Sequence, residues 1–441
     1  MYSRASLVFG ALAALAVVIP GATRAQQLSA ADRAVAVARL WAEARYNEAA
    51  WDLVRADWDS ALAANLTLAD LRQPDALFFR RLRRMLALLG DGQAAIRPPG
   101  AVRARVARPP LELRAIERRA FIVDYAENDE MRIARPERLA EIVAVQGVPA
   151  EAWIRDSILP EVPAGSVPAR WSRAVETMLE GEKGTAVHLL LRLPGGVERG
   201  ASVTRTVDLD DRWPLTRPSL EVDTLPGGVA WVRLHALDDP DIVDRFDRAF
   251  PEFRGGTLKG LVLDVRDEAG RPAGRDAGYQ ILARLVDKPF VTSRWRTPQY
   301  RPAYRGVDMP DSGGAWFAVP PDTVRPRRPS FTGPVALLAS PLTAGAAEDL
   351  LVAFRNAARG PIVGESSAGA TGQVLALSLG KGWEFTVTVS RDAFPNGAEF
   401  YGTGIAPEFP VAVTVADFLA GRDAALERAR LYVEERLRVA R

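Results

Sequence analysis

From about residue 219 to residue 430 the sequence alternates short apolar runs with amphipathic ones, and this alternation restricts the possible folds more than any other feature. "GGVAWVRL", "LKGLVLDVR", "GPVALLAS" and "PIVGES" read as strands buried on both faces. "DPDIVDRFDRAFPEF", "AGYQILARLV" and "AGAAEDLLVAFRNAARG" read as the helices between them, the last closed by Gly360. Strands of this kind bury both faces only when helices cover the sheet, so the fold class is α/β. A hairpin, "VLALSLGKGWEFTVTVS", and a tail helix, "RDAALERARLYVEERLRVA", complete this core and run on to residue 441.

Upstream the pattern changes twice. Residues 29–98 carry helical periodicity, with "AADRAVAVARLWAEARYNEAAWDLVRADWDSALAANL" free of internal Gly and Pro and "PDALFFRRLRRMLALLGDGQAAI" stopping at Gly90. A Pro/Arg-rich stretch, "RPPGAVRARVARPPLELR", marks a boundary, and residues 103–207 then read as a β-rich module whose "LPGG" signals a hairpin. At the N-terminus, Arg4, the apolar run Leu7 to Ile19 and the small-residue site ending at Ala25 form the three parts of a secretory signal peptide over residues 1–25. The expected location is therefore an exported compartment, the bacterial periplasm, with no membrane span left after cleavage.

The 57 basic residues are balanced by 55 acidic ones, which gives no electrostatic footprint for nucleic acid. The chain has no cysteine and two distant histidines, His188 and His235, so neither thiol chemistry nor a zinc site is expected, and no cofactor is called for.

Chemistry is best sought at "ASPLTAGAAEDLLVAF", where a strand turns into a helix over small residues. Such a turn converges backbone N–H groups and the helix dipole on one point, where acyl-transfer enzymes place a nucleophile beside an oxyanion hole. The alternative is close helix–sheet packing through Gly and Ala. In order along the chain, "GLVLDVRDEAG", "PVALLASPLTAGAAEDLLVAF", "GPIVGESSAGATGQV", "LGKGWEFTV" and "FPNGAEFYGTGIAPEFPV" resemble the tail-specific (C-terminal-processing) serine peptidases and the related tricorn protease core. The resemblance covers 219–430 and extends more weakly upstream, through "LALLGDGQAAIRPP" and through "IVAVQGVPAEAW" with "LLLRLPGG". It implies a ClpP/crotonase-like βα core, a helical N-terminal region and a PDZ-like β-rich module.

The resemblance also implies losses. The family's nucleophilic serine falls on Gly345, the lysine of its Ser–Lys branch on Ala370, and the histidine of its tricorn-like branch on Gln93. The oxyanion-shaping turn falls on "DEAGR", with Glu268 and Ala269 among the departures. Covalent catalysis needs a nucleophile and a base in hydrogen-bond reach, and none of the three replacements supplies either. Three readings follow. One is a non-catalytic relative that binds peptide or unfolded protein through the PDZ-like module and the remnant cleft, with Gly345, Ala346, Gly270 and Gly369 as binding positions. Another is an active serine-type peptidase with a relocated nucleophile, Ser340 or Ser367, and His235 as a candidate base. The third is a structural or assembly factor that uses the helical N-terminal region as its interface.

Overall fold

The computed structural model describes residues 28–69, 73–126, 129–133, 135–209, 217–254, 258–267, 274–300 and 316–439. Residues 1–25, expected to form a signal peptide, and Glu268, Ala269 and Gly270 lie outside the described residues.

Helix α1 (Ala30–Asn47) opens on a capping box: the Ser29 hydroxyl accepts from the Asp32 N–H, and the Asp32 carboxylate accepts from the Ser29 N–H. The periodicity predicted helix well past residue 47, but the chain leaves the helix there. Tertiary bonds replace helical ones. The buried Glu48 carboxylate accepts from the Ala50 N–H at 2.8 Å, and the Ala49 N–H donates to the Thr388 carbonyl at 2.8 Å. Helices α2 (Trp58–Ala69) and α3 (Asp75–Ala87) follow. Strand β1 (Ala95–Arg97) then pairs antiparallel with Trp383–Thr388, one arm of the hairpin that sequence reasoning assigned to the core. Leu40, Phe78, Phe79, Leu82 and Leu86 pack with Leu379, Trp383, Phe385 and Val387 in a single apolar cluster. The helical region thus shares its core with that hairpin.

The next span forms its own antiparallel sheet: β2 (Leu111–Ile116), β3 (Arg119–Tyr125), β4 (Glu141–Val145), β5 (Ala186–Arg192) and β6 (Glu198–Thr204), in that order. Helix α4 (Val167–Thr177), capped by Ser166, lays Trp171, Ala174 and Val175 onto this sheet. The short strand Val106–Arg108 pairs with Gly181–Glu182 and with Val207–Asp208 at the foot of the module.

The core sheet runs β7 (Leu220–Leu225), β8 (Val229–Leu234), β9 (Gly260–Asp264), β10 (Val335–Ala339), β11 (Ile362–Gly364), β12 (Phe409–Pro410). The first pair is antiparallel and every later pair parallel. Every residue of β9 and β10 is buried, as their unbroken apolar runs require. Helices α5 (Ile242–Arg254), α6 (Arg275–Ala283) and α7 (Ala346–Asn356) cover one face, and α8 (Ala424–Val439) the other, through Ala425, Ala429 and Val433. Arg266 ties the end of β9 to the start of α8, with Nη2 2.7 Å from Asp264 and 2.8 Å from Asp423. A further sheet, Arg294–Pro298 between Trp316–Val319 and Arg391–Ala393, has no clear period in the sequence.

Trp383 lies at the joint of the helical region and the core, 1% exposed, with its ring centroid 5.4 Å from that of Phe78. Trp383→Ala should cost about 3–5 kcal/mol, the range for truncating a buried aromatic. The check is a denaturant melt together with limited proteolysis, in which the helical region should become the first site of cleavage.

Candidate functional site

Of the three positions that the family resemblance singles out, two meet directly. The Gly345 N–H donates to the Ala370 carbonyl at 2.8 Å. A Cβ placed on Gly92 would overlap that of Ala370, so the "DGQ" turn rests against the 366–370 loop. Gln93 itself faces elsewhere: its side-chain amide donates to the Gly372 carbonyl at 3.0 Å, and its N–H to Asp91 Oδ1 at 2.9 Å. Asp91 in turn accepts from the Thr388 N–H and hydroxyl, at 2.8 and 2.7 Å. The upstream turn is thereby clamped to the end of the hairpin.

Gly345 caps α7 with φ 57° and ψ −124°. That is a conformation open to glycine and costly, by roughly 1–3 kcal/mol, for a residue with a side chain. A serine here would be held under strain that glycine avoids. Ala346 opens the helix and is 1% exposed.

The first turn of α7 carries two adjacent acids, Glu348 and Asp349, both buried. Glu348 reaches across to the 366–370 loop. Its Oε1 accepts from the Ser367 hydroxyl at 2.5 Å and the Gly369 N–H at 2.8 Å, and its Oε2 accepts from the Ala370 N–H at 2.9 Å. Burial pushes its pKa up to about 7, against the opposing pull of these hydrogen bonds and of the Arg173 charge. Asp349 accepts from Arg275 Nε at 2.6 Å and from the Ser293 hydroxyl at 2.8 Å, and Arg275 Nη2 also donates to Asp392 at 2.7 Å. One guanidinium thus serves two buried carboxylates. Burial and the Asp392 charge push Asp349 up to about 7.

The turn is covered from outside by the β-rich module. The Ser166 N–H donates to the Ala368 carbonyl at 3.2 Å, and Ala169 on α4 packs with Ala344, Ala368 and Ala370. A Cβ on Gly165 would overlap the Gly369 carbonyl oxygen, and Arg173 donates to the Gly92 carbonyl. The N–H groups of Gly345 and Gly369, expected to face a cleft as anion donors, are therefore turned inward onto the protein's own carbonyl and carboxylate. This is a correction to the expected use of those positions. Its cause is the close approach of backbone that Gly92, Gly165 and the small side chains at 344, 368 and 370 permit.

Neither fallback hydroxyl meets an imidazole or amine. Ser340 Oγ donates to the Arg266 carbonyl at 2.5 Å and accepts from the Leu342 N–H at 3.0 Å. Ser367 Oγ bridges Glu348 and the Ile405 N–H, the latter at 2.7 Å, and is 1% exposed. His235 lies at the end of β8 with Nε2 3.4 Å from Glu221 on the edge strand, and burial and Arg217 lower its pKa. His188 is exposed on β5, and Lys381 is 61% exposed in its hairpin turn. Among the described residues no group of His, Cys, Asp or Glu is arranged to hold a metal ion. Sequence reasoning missed the roles of Glu348, Asp349 and Arg275, although the two acids stand in the stretch that drew attention first. The only signal was their place in the first helical turn beside a loop of small residues.

Glu348 and Asp349 hold protons in the folded chain at pH values where the unfolded chain has released them. Stability contributed this way is complete below the ordinary carboxylate range and is lost as pH rises toward about 7. The loss from Glu348 alone is on the order of 3 kcal/mol. Denaturant melts should therefore show stability falling between pH 5 and pH 8, with a shallower slope in Glu348→Gln. A rise over that interval would contradict the assignment.

Residues 228–411 match the model of peptidase family S41. The C-terminal processing peptidase of Tetradesmus obliquus chloroplasts is 26% identical over 246 residues, 53% of this chain and 48% of that protein. The chain thus spans about half the length of the curated relatives it matches. Mature CPAF superposes over 92% of this chain and 97% of its own with a TM-score of 0.68 at 15% identity. The photosystem II D1 C-terminal processing protease superposes over 86% and 93% with a TM-score of 0.51 at 20% identity. At these identities the superpositions establish the fold, and over residues 228–411 the chain is similar to peptidase family S41.

Proposed function

We propose that this protein is a non-catalytic member of the S41 fold that binds peptide or unfolded protein segments in an exported, periplasm-type compartment. The observation that carries the reading is the turn at Gly345. It has no side chain to attack a carbonyl, and its N–H is bonded to the Ala370 carbonyl. Neither base position supplies a proton acceptor of the required kind: residue 370 is alanine, and the Gln93 amide is committed to Gly372.

Binding then falls to the β-rich module, in the PDZ-like role that its place in the chain suggests. Strand β6 is the outer strand of its sheet and is exposed over much of its length. An extended peptide can add to such an edge through main-chain hydrogen bonds. Export rests on the n-, h- and c-region pattern of residues 1–25. No helix among the described residues is long and apolar enough to cross a membrane.

A relocated nucleophile has one observation in its favour, the 2.5 Å contact of the Ser367 hydroxyl with Glu348. The burial of both side chains, at 1% and 0% exposure, weighs against it, because a carbonyl carbon must reach the oxygen. The assembly-factor reading loses support because the apolar faces of α1 and α3 are used against the hairpin.

The test is a screen of peptide and ester hydrolysis with a fluorophosphonate labelling assay on wild type, Ser340→Ala, Ser367→Ala and Gly345→Ser. All four should stay at background. Gly345→Ser should also lose roughly 1–3 kcal/mol of stability from its backbone conformation. Wild-type turnover abolished by Ser340→Ala or Ser367→Ala would overturn the reading.

A further inference from the structure

A groove of about 1610 Å³ runs between α3 and the β-rich module, bounded by Leu77 and Phe79 on one side and Trp153 and Ile158 on the other. It lies toward the C-terminal end of α4, where Thr177 and Glu180 line it, whereas Ser166 and Ala169 at the other end cover the Gly345 turn. An 11-residue helix separates the two regions, about 16 Å of rise. The groove is therefore a site apart from the family's catalytic position.

One wall of the groove holds Arg205, 8% exposed. Its Nε donates to the Leu179 carbonyl at 2.7 Å and its Nη1 to the Thr185 hydroxyl at 2.9 Å. Its remaining terminal nitrogen, Nη2, bonds to none of the described residues. Among the described residues no carboxylate reaches the guanidinium. Gly181 makes this placement possible, because a Cβ there would sit 2.6 Å from Arg205 Nε. A buried guanidinium bonded only to neutral acceptors is costly, and burial lowers its pKa. An anion in the groove would relieve that cost.

The other charges limit what the anion can be. Glu161 is met by Arg80 and Arg84, at 2.7 and 3.2 Å, and Glu180 by Arg83 at 3.0 Å, so these acids already have their counter-ions. The lining as a whole sets four acids, Asp75, Glu161, Glu180 and Glu182, against four arginines, Arg80, Arg83, Arg105 and Arg205, so it offers no net positive charge to a multiply charged group. The Trp153 indole N–H is satisfied by the Met178 carbonyl at 2.9 Å, which leaves its ring as apolar wall. Leu77 is 42% exposed at the rim.

We propose that this groove binds an amphipathic monoanion, an aliphatic chain ended by one carboxylate, with the head on Arg205 Nη2 and the chain along Leu77, Phe79, Trp153 and Ile158. The full chain is titrated with dodecanoate below its micelle concentration, by calorimetry and by tryptophan fluorescence. Methyl dodecanoate serves as the uncharged control and acetate as the head group alone. Dodecanoate should bind saturably with a stoichiometry of one. Methyl dodecanoate and acetate should each bind at least tenfold more weakly. Leu77→Asp, a change at an exposed rim position, should weaken dodecanoate at least tenfold without changing the melting temperature. Arg205→Lys keeps a cation and should retain part of the affinity, whereas Arg205→Gln should lose it; melting curves identify a variant that has failed to fold, in which case Leu77→Asp decides. Equal binding of the ester, non-saturable uptake, or an unchanged affinity in Leu77→Asp would overturn the proposal. So would binding confined to peptides.

Discussion

The Glu348 carboxylate is the contact on which the region around the turn depends. It projects from the first turn of helix Ala346–Asn356 and gathers three donors from the 366–370 loop. A carboxylate in that turn faces the positive end of the helix dipole, and its oxygens satisfy backbone groups that would otherwise be buried without partners. The same contact fixes the loop so that the Ala370 carbonyl accepts from Gly345. In this arrangement the donors of the loop are taken by a carboxyl group belonging to the protein.

Around this contact the packing is backbone on backbone. Gly92, Gly165, Gly369 and Ala370 approach so closely that a single added methylene would force a shift at several of them. Restoring a lysine at position 370 would drive its stem toward Gly92 and Gly165. The tight packing at the turn is therefore spread over several small residues. A glycine at φ 57° also avoids the backbone strain that a residue with a side chain would store at such a junction.

Much of this was legible in the sequence. The βα alternation after residue 219 fixed the core because buried parallel strands and their covering helices each leave a distinct period. Positions 93, 345 and 370 could be named from motif order; the fold joins Gly345 to Ala370 by a hydrogen bond, while the Gln93 amide turns to Gly372. The break after Asn47 could not be read, because it depends on Glu48 and Thr388, which are far apart in sequence. The small sheet around Arg294–Pro298 escaped for a related reason: its strands are half-buried and charged, and tertiary pairing rather than periodicity defines them. The covering of the turn by residues 164–173 and the charge-unpaired state of Arg205 are likewise properties of the assembled fold, with no local signature.

Amide hydrogen exchange at Gly345, Gly369 and Ala370 tests the central claim most directly, because each N–H has a named internal acceptor. All three should exchange at rates close to those of the most protected amides of the buried strand Val335–Ala339, and added peptide should leave them unchanged. Fast exchange of these amides in the folded chain, or protection that appears only when peptide is bound, would show an open donor site and contradict the account.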